Sequence, residues 1–299
     1  MYEITCSIVL YHNPVEEVRK AVESVLNCFQ KVKLYLVDNS RTDALRFQFI
    51  SPQIEYIFNG RNIGFGAAHN LAINKAKSSS LYHLVLNPDV EFNPKVLSGL
   101  FNYMQHNGDI GLVMPQVRYN NGDIQYLCKK LPAPVDLLVR RFLPAVLKNL
   151  LKKQLAEYEL RNRDYNSIMD VPNLSGCFMF VRSEVFSKIG AFDERYFLYL
   201  EDTDLCRRIN EFYRTTYYPL EKIIHGYRKA SYKSLSVLLH HVRSSIVYFN
   251  KWGWLSDTRR KIVNNALTAS PYSPATGKTG RPVLSHSSTV NLAQPAQAI

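Results

Sequence analysis

Two acidic segments carry the strongest chemical signal in this sequence. In Phe192 to Ile209, FDERYFLYLEDTDLCRRI, the carboxylates Glu201, Asp202 and Asp204 stand where an aromatic run gives way to a helical pattern. Acids at a helix start can simply stabilise it, because the first turn has unpaired N–H groups and a partial positive charge. That leaves the second segment unexplained. Leu86-Asn87-Pro88-Asp89-Val90 ends an apolar run more than a hundred residues earlier, and the ends of strands are where open α/β sheets bind ligands. Asn-Pro-Asp is also an ordinary turn after a strand.

Three further places could hold a nucleotide. Tyr11 and Asn13 follow the first strand-like run and Asp38 ends the second, so neighbouring parallel strands bring them to one edge. Asp38 can accept a hydrogen bond from the N3–H of uracil or thymine, and Tyr11 offers a stacking face; Asp38-Asn39-Ser40 also reads as an Asx-type turn. Asn62-Ile63-Gly64-Phe65-Gly66, followed by Ala67-Ala68-His69-Asn70, is a glycine-containing loop running into a helix. Glycines let backbone approach a ligand and a helix start favours anions, but a plain helix start has the same look. Asn62, Gly64 and Asn70 are the candidates there for sugar-nucleotide contacts.

The elements that position these residues alternate. Ile4–Leu10 reads as a buried strand, and Pro14 opens a helix with Val15, Val18, Val22, Val25 and Phe29 on one stripe. Strands at Lys33–Val37, Ile54–Phe58 and Leu81–Leu86 are interleaved with a helix at Phe65–Lys77 and another begun at Pro94. A strand at Gly176–Val181 and a helix at Ser183–Ile189 precede the acidic segment, and Thr215–Pro219 is strand-like. This predicts an α/β fold with a mainly parallel sheet flanked by helices. Residues 1–230 are expected to form the main domain, with 132–163 as a basic amphipathic helical insertion. Residues 231–265 read as a C-terminal helical segment and 266–299 as a disordered tail rich in Ser, Thr, Pro, Gly and Ala.

Composition bounds the rest. The 299 residues are 46% hydrophobic, enough for a sizeable core, and carry a net charge of +12 with pI near 9.4, which attracts anionic partners of any kind. Five cysteines without CxxC spacing give neither a disulfide framework nor a zinc site, and fit a reducing cytoplasm. The chain enters ITCSIVL without a signal-peptide pattern, and no apolar run approaches the roughly 18 residues that cross a bilayer.

The segments Val37-Asp38-Asn39-Ser40, Asn62 to Gly66, Asn87-Pro88-Asp89 and Glu201-Asp202 occur in the order seen in inverting family 2 glycosyltransferases of GT-A fold, and residues 4–230 resemble that family's rhamnosyltransferase-like branch. The resemblance implies that Asp202 is the catalytic base, with Glu201 orienting, and that Asp89 holds Mg²⁺ or Mn²⁺ against the donor diphosphate. His225 stands where some members supply a further metal ligand. Asn87 replaces the first aspartate of a plain DxD, a change usual in this branch, so the metal is expected to bind poorly without nucleotide. Arg207 and Arg208 are expected to keep Asp202 ionised; Gly176-Cys177-Phe178 resembles the small-residue turn that borders the acceptor pocket, but reads more readily as the plain start of a buried strand.

The implied donor is a dTDP- or UDP-sugar, with dTDP-L-rhamnose the first choice. The implied acceptor is a polyprenyl diphosphate-linked saccharide in O-antigen or related surface-polysaccharide assembly. The enzyme would then be cytoplasmic and peripheral on an anionic inner-membrane surface, with a homo-oligomer left open. Competing readings are a nucleotidyltransferase, for which SIVLYHNPVEE lacks the basic glycine-rich triphosphate loop, and an impaired transferase-like protein that binds membrane or partner. Nucleic-acid binding is not expected, since no basic stripe with exposed aromatics crosses the sheet region.

Overall fold

Alternation along one strand sets the layers. The computed structural model describes residues 1–137, 152–226 and 235–269. In β2 (Val32–Asp38), Leu34 and Leu36 join the cluster that holds Val18, Val22 and Val25 of helix α1 (Val15–Leu26). Tyr35 and Val37 point the other way, onto the Ala68, Ala72 and Ala76 stripe of α2 (Phe65–Ala76). Small alanines let that helix lie close against the sheet. The expected apolar stripe of α1 ends early, because the helix stops at Leu26 and Phe29 is exposed.

Among the described residues the sheet has nine strands. Their order is β3 (Ile54–Phe58), β2, β1 (Tyr2–Leu10), β4 (Ser80–Leu86), β8 (Phe178–Arg182), β6 (Ile110–Arg118), β9 (Arg214–His225) and β5 (Val90–Phe92), with β7 (Met169–Asp170) pairing β9. Pairing is parallel from β3 to β4 and between β6 and β9. β8 runs antiparallel to β4 and β6, and β5 and β7 run antiparallel to β9. The half that leads to Asp202 is therefore largely antiparallel. A buried apolar run such as Phe178–Val181 carries no mark of its direction.

The remaining helices are α3 (Lys95–His106), α4 (Lys152–Tyr158), α5 (Ser183–Ile189), α6 (Glu201–Ile209), α7 (Leu235–Trp252) and α8 (Thr258–Ala269). α8 runs past residue 266, so the expected start of the tail falls inside a helix; residues 270–299 and the 138–151 centre of the basic insertion lie outside the described residues. β9 extends beyond Pro219 to His225, which places that histidine in the sheet.

Two buried ionic contacts fasten α7 and its following turn to α6. Asp204 is wholly buried and accepts from Arg208 Nε at 2.9 Å, Lys251 Nζ at 3.0 Å and Trp252 Nε1 at 2.8 Å. Arg207 donates through Nη1 and Nη2 to Asp257 at 2.6 and 2.7 Å, with its guanidinium 4.2 Å from the Trp252 ring centre. Such pairs are costly to bury and are tolerated only when their hydrogen bonds are made. Here they fix the orientation of the helix that begins at Glu201.

Candidate active site

β4 and β8 bring the two acidic segments together. Their register ends with Leu86 opposite Phe178, and Asn87 N donates to Cys177 O at 2.9 Å. One residue further back, Gly176 N donates to Asp202 Oδ2 at 2.9 Å. Asp89 and Asp202 are thus held from the two ends of one short backbone bridge. The Cys177 thiol between them is pushed up to about 12, first by burial and further by both carboxylates. A side chain at position 176 would crowd this contact, since a Cβ there lies 3.3 Å from Asp202 Cβ.

A cleft of about 1690 Å³ runs along this bridge, lined among others by Tyr11, Asn13, Asn87, Asp89, Gly176, Glu201, Asp202 and His225. Asp202 Oδ1 also accepts from Thr203 N at 2.7 Å, so both carboxylate oxygens are aimed by backbone donors at the start of α6. Tyr199 (φ 71°) and Leu200 (φ 66°) immediately before it are both left-handed. Side chains with a Cβ avoid that region, and two in a row persist only where the surroundings hold them. Glu201 is buried, and its Oε2 has no hydrogen-bond partner among the described residues. Burial, and then the neighbouring Asp202, raises its carboxyl well above the usual range.

Asp89 and His225 meet because β5 pairs with β9, setting Val90 opposite His225, and Gly226 N donates to Asp89 O at 2.8 Å. His225 Nε2 lies 3.3 Å from Asp89 Oδ1 and 3.5 Å from Asn87 Nδ2. Gln125 sets the ring. Its amide nitrogen donates to the carbonyls of His225 at 2.8 Å and Arg118 at 3.3 Å, so Gln125 Oε1 faces His225 Nδ1 at 2.9 Å and accepts its proton. Nε2 then presents its lone pair to the side of Asn87 Nδ2 and Asp89 Oδ1. An imidazole and a carboxylate, with phosphate oxygens and water completing the shell, are a fitting donor set for Mn²⁺, and less so for Mg²⁺, which prefers oxygen throughout.

Several expected nucleotide contacts also hold parts of the fold together. Asn70 Nδ2 donates to Phe192 O and Glu194 Oε1, both at 2.9 Å, and its Oδ1 accepts from Phe192 N at 2.9 Å; it ties α2 to the acidic segment rather than lining the cleft. Asn62 Oδ1 accepts from Gly64 N at 2.9 Å and closes the loop on itself. Gly64 (φ 96°) sits against Phe197, and Phe65 N donates to Phe197 O at 3.0 Å. Neither Asn62 nor Gly64 lines the cleft. Asp38 is buried behind the Tyr11–Asn13 edge, accepting from Ser40 N at 2.8 Å and from the Tyr56 hydroxyl. Arg207 and Arg208 are spent on Asp257 and Asp204 and do not reach Asp202. The sequence reading missed Gln125, whose place in a polar turn gave no signal, and the left-handed pair at 199 and 200, since neither Tyr nor Leu announces such a backbone.

The chain matches the family described as Glycosyl transferase family 2 over residues 6–190. It is similar to the N-acetylglucosaminyl-diphospho-decaprenol L-rhamnosyltransferase of Mycobacterium tuberculosis (strain ATCC 25618 / H37Rv), 24% identical over 284 residues, covering 89% of this chain and 91% of that protein. It is also similar to Rhamnosyltransferase WbbL of Escherichia coli (strain K12), 26% identical over 212 residues, covering 68% of this chain and 75% of WbbL. Among solved structures, the crystal structure of GalNAc-T7 with UDP, GalNAc and Mn²⁺ superposes with a TM-score of 0.61 at 15% identity, over 84% of this chain and 50% of that longer one; this likeness bears on the fold, which is of GT-A type. The match over residues 6–190 spans more than half of the 299 residues, and the chain belongs to glycosyl transferase family 2 and is a glycosyltransferase.

Proposed function

We propose that the enzyme transfers L-rhamnose from dTDP-L-rhamnose, with inversion, to a hydroxyl of a saccharide carried on a polyprenyl diphosphate, in the assembly of a bacterial surface polysaccharide such as O-antigen. The reading rests on the Asn87–Cys177 and Gly176–Asp202 hydrogen bonds, which keep a candidate metal-binding acid and a candidate base on one cleft. The rhamnosyltransferase relatives support the sugar, and the decaprenol named for one of them supports the lipid.

In this reading Tyr11 stacks on the base, Asn13 helps shape that edge, and Asp38 accepts from the base N3–H with lone pairs that Ser40 and Tyr56 leave. Asn62, Gly64 and Asn70 act from behind, by holding the acidic segment. Asp89 and His225, with Asn87 beside them, would hold a divalent cation, which supplies positive charge to the diphosphate as it leaves. The acceptor hydroxyl gives its proton to Asp202 while its oxygen bonds to the anomeric carbon from the face opposite the nucleotide. The bond from that carbon to the diphosphate oxygen breaks, and nucleoside diphosphate departs with the electron pair.

Asp202→Asn tests the base. The amide has nearly the same shape, so donor binding measured by titration calorimetry with dTDP-L-rhamnose and Mn²⁺ should hold within a few fold. Turnover should fall by roughly 10²–10⁴-fold, the usual contribution of a general base. Turnover within tenfold of the parent enzyme removes Asp202 from that role.

A further inference from the structure

The C-terminal helices present an apolar and cationic surface that the catalytic reading leaves unused. Along α7, Leu239, Arg243, Ile246 and Asn250 fall within about 60° of one another at 3.6 residues per turn, and all four face solvent. Leu239 is 61% exposed and Ile246 44%. The stripe continues into the turn after Gly253, where Trp254 Nε1 donates to Asn250 Oδ1 at 2.8 Å and the ring stays 45% exposed. Leu255 beside it is 87% exposed, more than any other large apolar side chain among the described residues. Two adjacent apolar side chains at the tip of a turn gain nothing from water.

The charge of the same region has one sign. Residues 235–269 contain Arg243, Lys251, Arg259, Arg260 and Lys261 and a single acid, Asp257. Asp257 is buried against Arg207, so Arg243, Arg259 and Lys261 are the ionisable groups of residues 235–269 that are exposed. A protein partner would ordinarily be met with charges of both signs. Exposed arginine and lysine beside leucine, isoleucine and tryptophan suit anionic headgroups over acyl chains, with the indole at the boundary between them.

The opposite side of α7 touches the active site. His240 stacks on Phe197 with ring centres 4.3 Å apart, Ser244 Oγ donates to Leu198 O at 2.8 Å, and His241 packs 5.2 Å from Tyr199 and lines the cleft. One helix therefore has the cleft rim on its inner side and the apolar stripe on its outer side.

We propose that the outward face of α7 and the Trp254–Leu255 turn form a docking surface for an anionic lipid bilayer. The surface deepens the lipid-linked reading, because it would set the cleft beside the plane in which such an acceptor resides.

The test is cosedimentation of the full-length protein with phosphatidylcholine vesicles, with and without phosphatidylglycerol. The protein is expected to pellet with the phosphatidylglycerol vesicles. Leu255→Asp should weaken that partition by at least about tenfold, the scale of losing one buried leucine, and Arg243→Ser by about fivefold, the scale of one lipid-facing charge. Leu255 makes little contact with the fold, so an unchanged melting curve is expected; Ile246→Ser is the second variant, and should also release the protein. Equal partition of all variants overturns the proposal. So does a concentration-dependent dimer that Leu255→Asp disrupts while vesicles remain unbound, which would assign the face to a second copy of the chain. Vesicle binding is read without turnover, so failure of the transferase reading leaves it standing. Transfer to a short-chain, water-soluble acceptor should be unaffected by Leu255→Asp, and transfer to an acceptor embedded in vesicles should fall.

Discussion

Acid should weaken this fold through a histidine that never sees solvent. His83 on β4 is fully buried, with Nδ1 2.8 Å from Thr5 Oγ1 and Nε2 2.8 Å from Ser7 Oγ, and Ser7 Oγ lies 2.7 Å from His69 Nδ1 on α2. Burial lowers His83 from 6.5 to about 3. A native value below the unfolded one means that the unfolded chain binds more protons between those limits, so stability is complete above about pH 6.5 and is lost as pH falls toward 3. The full difference of about 3.5 units corresponds to about 5 kcal/mol, of which roughly 2 kcal/mol is lost between pH 7 and pH 5. His83→Gln retains a donor and an acceptor without the titration. Urea unfolding of both proteins at pH 7 and pH 5 reads His83 together with its effect on His69, whose charged form it also disfavours; the remaining titrating groups are common to the pair. The gap between parent and variant should narrow by about 2 kcal/mol at pH 5. Gaps at the two pH values that agree within about 0.5 kcal/mol would refute the linkage.

Two other perturbations follow from named contacts. Gly64→Ala places a Cβ 2.7 Å from Phe197 O at a φ of 96°, so it should lower stability by about 1–3 kcal/mol and loosen the acidic segment, seen as a lower Tm and a lower kcat. Asp257→Asn leaves the Arg207 guanidinium buried with its charge unmatched, for a loss of about 3–5 kcal/mol by denaturant titration; replacing both residues by apolar ones of similar volume should recover much of it.

The parallel half of the sheet was legible because strand, helix and turn signals alternate there: Ile4–Leu10, Pro14 and Lys33–Val37 read correctly on local pattern alone. The direction of β8 was not, since pairing direction is set by the connection and not by the apolar run. The residue types of Asn62, Gly64 and Asn70 suit a ligand and a tight loop equally, and the contacts of Asn70 with Phe192 and Glu194 and of the Gly64 turn with Phe197, more than a hundred residues away, are not legible in local pattern. Asp89 and His225 could be linked by family resemblance, whereas Gln125, which aims the ring, is recognisable only once the β6–β9 edge is assembled.

The left-handed turn at Tyr199 and Leu200 is clasped by Gly64 and Phe65 on one side and by α7 on the other. Its clasp is therefore finished only when sequence from the opposite end of the polypeptide arrives. A chain cut before residue 235 would lose the α7 contacts to Leu198 and Tyr199, while Asp202 and Asp89 would keep the backbone donors at Gly176, Thr203 and Gly226. The bend that leads into the candidate base thus draws its support from segments nearly two hundred residues apart along the chain, Gly64 and Ser244 among them.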